Sequence, residues 1–257
     1  MTANTREPDR HALVDQQFGT TAAAYVTSQV HASGADLDRI AERARKARPA
    51  HALDLGAGGG HVGYAMADGA TAVTACDLSP RMLDVVSAEA ARRGIANLTT
   101  QAAAAEALPF ADRSFDFLAC RYSVHHWRDA EAGLREARRV LTPGAPAIFI
   151  DVIAPGNAAA DTHLQAVELL RDLSHVRDYA AAEWLAMLGR AGFAATRMTT
   201  ARLRMDFADW TGRMRTPPGQ VAAIGALQEA ASRDVAAHFE IEPDGSFTID
   251  TILVEAV

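Results

Sequence analysis

Short apolar runs alternate with segments of helical periodicity along most of the chain. One run ends in Asp54 and another in Asp77; between them a glycine cluster at residues 56–60 opens a helix-like segment. Residues 50–77 therefore read as strand, tight turn, helix, strand. Ser79-Pro80 has the form of an N-cap with proline at the first helical position, which predicts a helix over 80–93 stopped at Gly94. Apolar runs predict further strands over 97–102, 115–120 and 147–153. The spacing of Ala132, Leu134, Ala137, Val140 and Leu141 predicts a helix over 129–141, ended by Thr142-Pro143-Gly144.

Either side of this regular part the pattern loosens. Residues 14–45 predict one or two helices broken near Ser33-Gly34, the second with Asp36 near its start and Arg43 and Arg45 near its end, as the helix dipole favours. Beyond 154 a helix is expected over 162–171, then a polar stretch at 172–178, a helix over 181–191 closed by Gly192, and a strand over 193–204. Residues 207–239 read as mainly helical around Pro217-Pro218, before a last strand over 246–255. Strands alternating with helices argue for an α/β fold whose mostly parallel sheet is covered on both faces. The division expected is an N-terminal helical cap over 1–46 and one domain over 47–257, whose insertions at about 155–180 and 205–242 form a lid over the ligand edge.

Composition narrows the partners. The chain has 257 residues and a net charge of −7, with its basic residues dispersed among acids, so nucleic acid is not expected as a partner. Cys76 and Cys120 lie inside apolar runs with no CxxC spacing and read as reduced core thiols. No apolar segment is long enough to span a bilayer, and the first residues lack the order of a signal peptide; the expectation is a cytoplasmic protein without a membrane partner.

The stretch 50–77 carries the first chemical signal. Glycines let a backbone approach a ligand closely, the helix that follows offers unpaired N–H groups, and an acid at the tip of the next strand can accept both hydrogen bonds of a ribose diol. Residues 58–63 satisfy GxGxxG literally, but the GxG directly after the strand is Gly56-Ala57-Gly58, and His61 stands where its third glycine belongs.

Three ordered segments resemble the class I S-adenosylmethionine-dependent methyltransferases, in particular the small-molecule branch known as type 11. They are Leu53-Asp54-Leu55-Gly56-Ala57-Gly58-Gly59-Gly60, Asp77-Leu78-Ser79-Pro80-Arg81-Met82-Leu83, and Ala105-Glu106-Ala107-Leu108-Pro109-Phe110 with Ser114-Phe115-Asp116. The resemblance covers residues 50–193 and implies a Rossmann-like, doubly wound, seven-stranded sheet. It also implies S-adenosylmethionine as cofactor and S-adenosylhomocysteine as product. On this likeness the turn at Gly56, Ala57 and Gly58 passes under the methionine part, with Asp54 helping to hold its amino group. Asp77 takes the ribose hydroxyls, and Leu78 and Met82 lie against adenine. Ala104, Ala105 and Glu106 meet the adenine edge, and Arg121 offers its backbone carbonyl to the amino group. The family commonly has an Asp where this chain has Ala104, leaving backbone groups to hold the adenine amino group.

Methyl transfer asks the protein chiefly to align an acceptor and exclude water, with a base useful where the acceptor must lose a proton. Candidates for that base are His125 and His126, placed after the fourth strand where open α/β sheets bind ligands. Tyr122 and Trp127 are candidates to stack on a flat small-molecule acceptor; His175, Arg177, Arg213 and Arg215 to grip an anionic or carbonyl-bearing one; Tyr25, with Phe18, to close over the cofactor. Each has a plainer reading, as core packing or surface ion pairing. No metal site is expected, because the two adjacent histidines have no third ligand at usable spacing. Two other functions fit parts of the pattern: an NAD-dependent oxidoreductase, from the literal GxGxxG and Asp77, and a cofactor-binding regulatory protein, from Ala104. Oligomeric state is not legible.

Overall fold

The computed structural model describes residues 34–257. Helix α1 (Ala35–Ala47) leads into β1 (His51–Leu55), α2 (His61–Ala67), β2 (Ala72–Asp77), α3 (Pro80–Arg92), β3 (Leu98–Ala102) and β4 (Phe117–Arg121). After a single 3-10 turn, Val124–His126, come α4 (Ala130–Val140), β5 (Ala147–Ala154), α5 (Ala158–Arg171), the two-residue β6 (Tyr179–Ala180) and α6 (Ala181–Ala191). The chain closes with β7 (Ala195–Met205), α7 (Phe207–Arg213), α8 (Pro218–Glu229), α9 (Arg233–Phe239) and β8 (Phe247–Ala256).

The strands form one sheet in the order β3-β2-β1-β4-β5-β8-β7, with β6 beside β5. The first five are parallel, whereas β8 runs antiparallel between β5 and β7. This is the doubly wound Rossmann-like arrangement. Chain order reverses between β1 and β4, so the crevice beyond their carboxyl ends is where such sheets bind ligands.

Alternation of side chains sorts the core into two faces. Ala52, Phe117, Ala119, Ile148 and Ile150 pack with Leu37, Ile40 and Ala44 of α1 and Val62 and Met66 of α2. Leu53, Leu118, Cys120 and Phe149 pack on the other face with Leu134 and Ala137 of α4 and Trp184, Met187 and Leu188 of α6. Helix α1 is thus part of the core at its described end. Residues 1–33, the first part of the expected cap over 1–46, with Phe18 and Tyr25, lie outside the described residues.

Local chemistry fixes the element ends. Ser79 Oγ accepts from Met82 N with Pro80 at the first helical position of α3, and Asp129 caps α4 through Ala132 N. Helix α5 starts four residues before its expected start because Asn157 Oδ1 accepts from both Ala159 N and Ala160 N. Strand β4 begins two residues late: Phe115 pairs instead with Leu141, while the Asp116 carboxylate accepts Ala50 N and His51 N and ties the entry of β4 to that of β1.

The two irregular segments come together. Leu164 and Val167 of α5 pack with Trp210 of α7, Ile224 of α8, Val235 and Phe239 of α9, and Met205, Phe247 and Ile249 at the ends of β7 and β8. Among the described residues no helix is long and apolar enough to cross a membrane.

Candidate active site

A single elongated cleft follows the carboxyl ends of the strands, and most of the candidate residues line it: Gly56, Ala57, Gly58, Asp77, Leu78, Met82, Ala104, Ala105, Glu106, Arg121, Tyr122, His125, His126, Trp127 and Arg213. Val152, Glu168, Arg171, Asp178, Leu203, Met205, Trp210 and Ile249 continue it under the additional helices.

The turn after β1 is held close to β2. Gly56 N and Ala57 N both donate to Cys76 O, and Gly58 N donates to Asp77 Oδ2 at 2.8 Å. The other Asp77 oxygen accepts Ser79 N at 2.9 Å, so one carboxylate organises the glycine turn and the start of α3. Gly56 has φ 74°, and a Cβ there would lie 2.0 Å from Ser123 Oγ, which only glycine avoids. At Gly58 a Cβ would meet nothing within 4 Å: this is the open floor of the cleft.

Asp54 sits one layer beneath the lining. It is 1% exposed, its Oδ2 accepts Gly63 N at 2.8 Å, and its Oδ1 has no hydrogen-bond partner among the described residues. Burial pushes its carboxyl up to about 7. An enclosed, half-satisfied acid beside a glycine turn has capacity for a ligand's donor.

On the far side of the switch point, Arg121 ends β4 with Nε 2.6 Å from Asp36 Oδ2, fastening α1 to the rim. Tyr122 follows at φ 52°, a left-handed conformation that a bulky residue adopts only where its surroundings force it. Trp127 is packed within the core, with Nε1 donating to Ser123 Oγ at 3.0 Å and its ring filling the space that a side chain at position 133 would need; it is a fixed wall of the cleft.

The two histidines differ sharply. His125 Nδ1 is hydrogen-bonded to Asp151 Oδ1, and its backbone N donates to Asp151 Oδ2 at 3.3 Å. Burial pulls its pKa down, but Asp151, then Asp178 and Glu168, outweigh this and raise it to about 9. His126, its ring centroid 4.2 Å away, has Nδ1 on Ser174 Oγ and its pKa lowered to about 4 by burial and by the His125 charge. At neutral pH His125 is the charged member of the pair.

Besides Asp54, three described candidates lie off the cleft lining. His175 is 3% exposed, one layer back, with Nε2 on Gln165 Oε1 at 3.1 Å. Arg177 pairs with Asp161 at 3.1 Å and Glu183 at 3.3 Å, and Arg215 is exposed. For Arg177 this is ion pairing, the plainer of the two readings. Sequence reasoning missed Asp151, Glu168, Asp178, Arg171 and Trp210. Asp151 alone carried a signal, as the one acid inside the apolar run 147–153, since a charge buried mid-strand needs a partner. No group of three or more His, Cys, Asp or Glu among the described residues is arranged to hold a metal ion.

Comparison with known proteins decides the family. A family model described as a methyltransferase domain matches residues 53–149. The uncharacterized protein YafE of Escherichia coli is 46% identical over 193 residues, spanning 75% of this chain and 93% of that protein. The uncharacterized methyltransferase YcgJ of Bacillus subtilis is 31% identical over 245 residues, 93% of this chain and 97% of its own length. The chain belongs to the class I S-adenosylmethionine-dependent methyltransferases, type 11 branch. The crystal structure of YcgJ superposes with a TM-score of 0.82 at 30% identity, covering 86% of this chain and 97% of that one. A putative methyltransferase from Bacillus halodurans superposes equally well, at 0.82 and 31%, covering 87% and 98%. Demethylmenaquinone methyltransferase of Chlorobaculum parvum is 37% identical over 123 residues, 46% of this chain and 48% of that enzyme.

As a methyltransferase this chain has a cleft whose chemistry fits the family's cofactor. The open floor at Gly58, the carboxylate of Asp77 at the strand tip and an Asp54 oxygen without a hydrogen-bond partner among the described residues are groups of the kind that a ribose diol and an ammonium would use.

Proposed function

We propose that this methyltransferase binds S-adenosylmethionine at the turn after β1 and moves its methyl group to a small-molecule acceptor held under α5 and α7. The observation that carries the reading is the continuity of one cleft from Asp77 and Met82 through His125 to Trp210 and Ile249. Asp77 would take the ribose hydroxyls, Leu78 and Met82 would lie against adenine, and Ala104, Ala105 and Glu106 would meet its edge. Asp54 and the Arg121 carbonyl would hold the amino group. The cofactor supplies a methyl on a sulfonium, already activated for transfer.

The chain's own part is to seat the acceptor and keep water out. Val152, Leu203, Met205, Trp210 and Ile249 give it an apolar enclosure, and the helices over 155–180 and 205–242 would act as its lid. Tyr122, Trp127 and Arg213 line its approach. His125, charged and fixed by Asp151, would donate a hydrogen bond to the acceptor and not act as the base expected of it, while neutral His126 would pack beside it. A small acceptor agrees with the demethylmenaquinone methyltransferases among the relatives, whose names state such a substrate.

Isothermal titration of the purified protein with S-adenosylmethionine and S-adenosylhomocysteine tests the reading, and binding of neither defeats it. A melting temperature raised by NAD instead would favour the oxidoreductase alternative. Release of S-adenosylhomocysteine with any acceptor would exclude a purely regulatory role.

A further inference from the structure

Beneath the acceptor half of the cleft lies a carboxyl group that the cofactor reading leaves unused. Asp178 is 1% exposed yet lines the cleft, and its side chain makes no hydrogen bond to another described residue; Oδ2 is enclosed, with His175 Nε2 beyond hydrogen-bond reach at 3.9 Å. It is fixed in place by its own backbone: Asp178 N donates to Gln165 Oε1 at 3.1 Å and Asp178 O accepts Gln165 Nε2 at 2.9 Å. The two residues before it are tied to His125, whose carbonyl accepts Val176 N at 2.8 Å and Arg177 N at 3.3 Å. Two further residues on, Ala180 follows Tyr179 into β6, where Tyr179 pairs with Ile153 of β5, the strand that carries Asp151. Asp178 and His125 are thus held beside one another by three separate attachments.

His125 is itself half engaged. Its Nδ1 is on Asp151, so Nε2 is the ring nitrogen left for a ligand. Around this pair the apolar Val152, Met205, Trp210 and Ile249 share the lining with Glu168, Arg171 and Arg213. A buried carboxyl without a partner is costly, and a binding site is where that cost is recovered, because the ligand supplies the missing donor.

We propose that the acceptor is an apolar molecule bearing a hydroxyl, and that this hydroxyl is seated between His125 Nε2 and the Asp178 carboxyl, which takes its proton. The inference rests on the methyltransferase reading above. A hydroxyl satisfies both groups at once, its oxygen accepting from Nε2–H and its O–H donating to the carboxyl. An ammonium group would satisfy Asp178 but would face the charged His125 and the guanidinium of Arg213, while Glu168, the other acid of this half, is already paired with Arg171 at 3.3 Å. A carboxylate would meet those cations but confront Asp178.

The proton transfer starts from ionised Asp178 opposite the charged His125: the O–H bond breaks, its electron pair stays on the acceptor oxygen, and the proton passes to the Asp178 carboxylate, which becomes the neutral acid. His125 keeps its own proton and holds the oxyanion. Burial, then the Glu168 charge, shift Asp178 well above the ordinary carboxylate range, which narrows the gap in proton affinity between it and a hydroxyl.

Phenol, anisole and benzylamine test the assignment by ligand-observed NMR titration of protein saturated with S-adenosylhomocysteine, so that only the acceptor half is open. Phenol is expected to bind about tenfold tighter than either of the others, the worth of one hydrogen bond to a charged group. In Asp178→Leu, phenol should fall to the level of anisole, with melting temperature and S-adenosylhomocysteine affinity kept. Equal affinity for phenol and anisole in the native protein overturns the proposal, as do tighter binding of benzylamine, absence of phenol binding, or a folded Asp178→Leu that still prefers phenol. The native comparison stands by itself if that variant does not fold. Failure of S-adenosylhomocysteine to bind is a separate result, which removes the cofactor reading.

Discussion

The Asp77 carboxylate reaches back across the first turn to the backbone N–H of Gly58, at 2.8 Å, and so links the end of β2 to the glycine loop after β1. The residue expected to hold the ribose is therefore also the one that shapes the loop beneath it. Asp77→Ala should weaken S-adenosylhomocysteine binding by about 10- to 100-fold, the loss of one or more hydrogen bonds to a charged group. Calorimetric titration reads it; an affinity within twofold of the native protein would remove Asp77 from the site.

Gly56 shows how tightly that loop is built. With φ 74° and only 2.0 Å between an added Cβ and Ser123 Oγ, Gly56→Ala should cost about 1–3 kcal/mol of stability. Pairing it with Ser123→Gly should recover the part due to the clash but not the part due to φ. Thermal melts of the single and double variants measure both parts.

Asp54 makes a less expected case. Its folded pKa, about 7, is raised above that of the unfolded chain, so its burial costs stability increasingly as pH rises from about 4 to 7. Asp54→Asn, which keeps an acceptor for Gly63 N, should melt several degrees higher than the native protein at pH 8 and show no such gain at pH 4. The same change should weaken S-adenosylmethionine binding. The pH dependence of the melting-temperature difference is the check.

His125 works in the opposite direction on the alkaline side. A folded pKa of about 9, above the ordinary value of 6.5, contributes stability fully present below about pH 6.5 and lost as pH rises through 9; the shift corresponds to roughly 3 kcal/mol. In Asp151→Asn the largest raising influence is gone and burial remains, so the His125 resonance should titrate below 6.5 by NMR. A titration that stays near 9 would show that Asp151 is not what holds the charge.

Ala104 lines the cleft, half-buried, at the place where the family commonly carries an Asp. Ala104→Asp should leave cofactor affinity equal or improved by up to about tenfold, one charged hydrogen bond. A large loss in the same titration would place a different residue against adenine.

The regular half of this protein was legible because its signals are local. Ser79-Pro80 starts α3 where it stands in the chain, Gly192 closes α6 at the expected residue, and the alternation of strands and helices dictates a parallel, doubly wound sheet. The glycine turn, Asp77 and the loop at 104–106 were legible because each is a short local pattern at a strand end, and all three line the cleft.

The acceptor half depends on distances the chain does not encode locally. His125, Asp151 and Asp178 come from the end of β4, the middle of β5 and the entry of β6, and meet only when the strands pair. The histidines at 125 and 126 were visible as candidates, but adjacency gave no means of telling them apart. Burial and a partner 26 positions downstream charge one and leave the other neutral. By itself, then, the sequence determined the fold class and marked the glycine turn, Asp77 and 104–106 that line the cleft, because hydrophobic period and turn chemistry act over a few residues. Only the tertiary structure decided which buried acids meet beside His125, because charge and desolvation depend on what packs nearby in space.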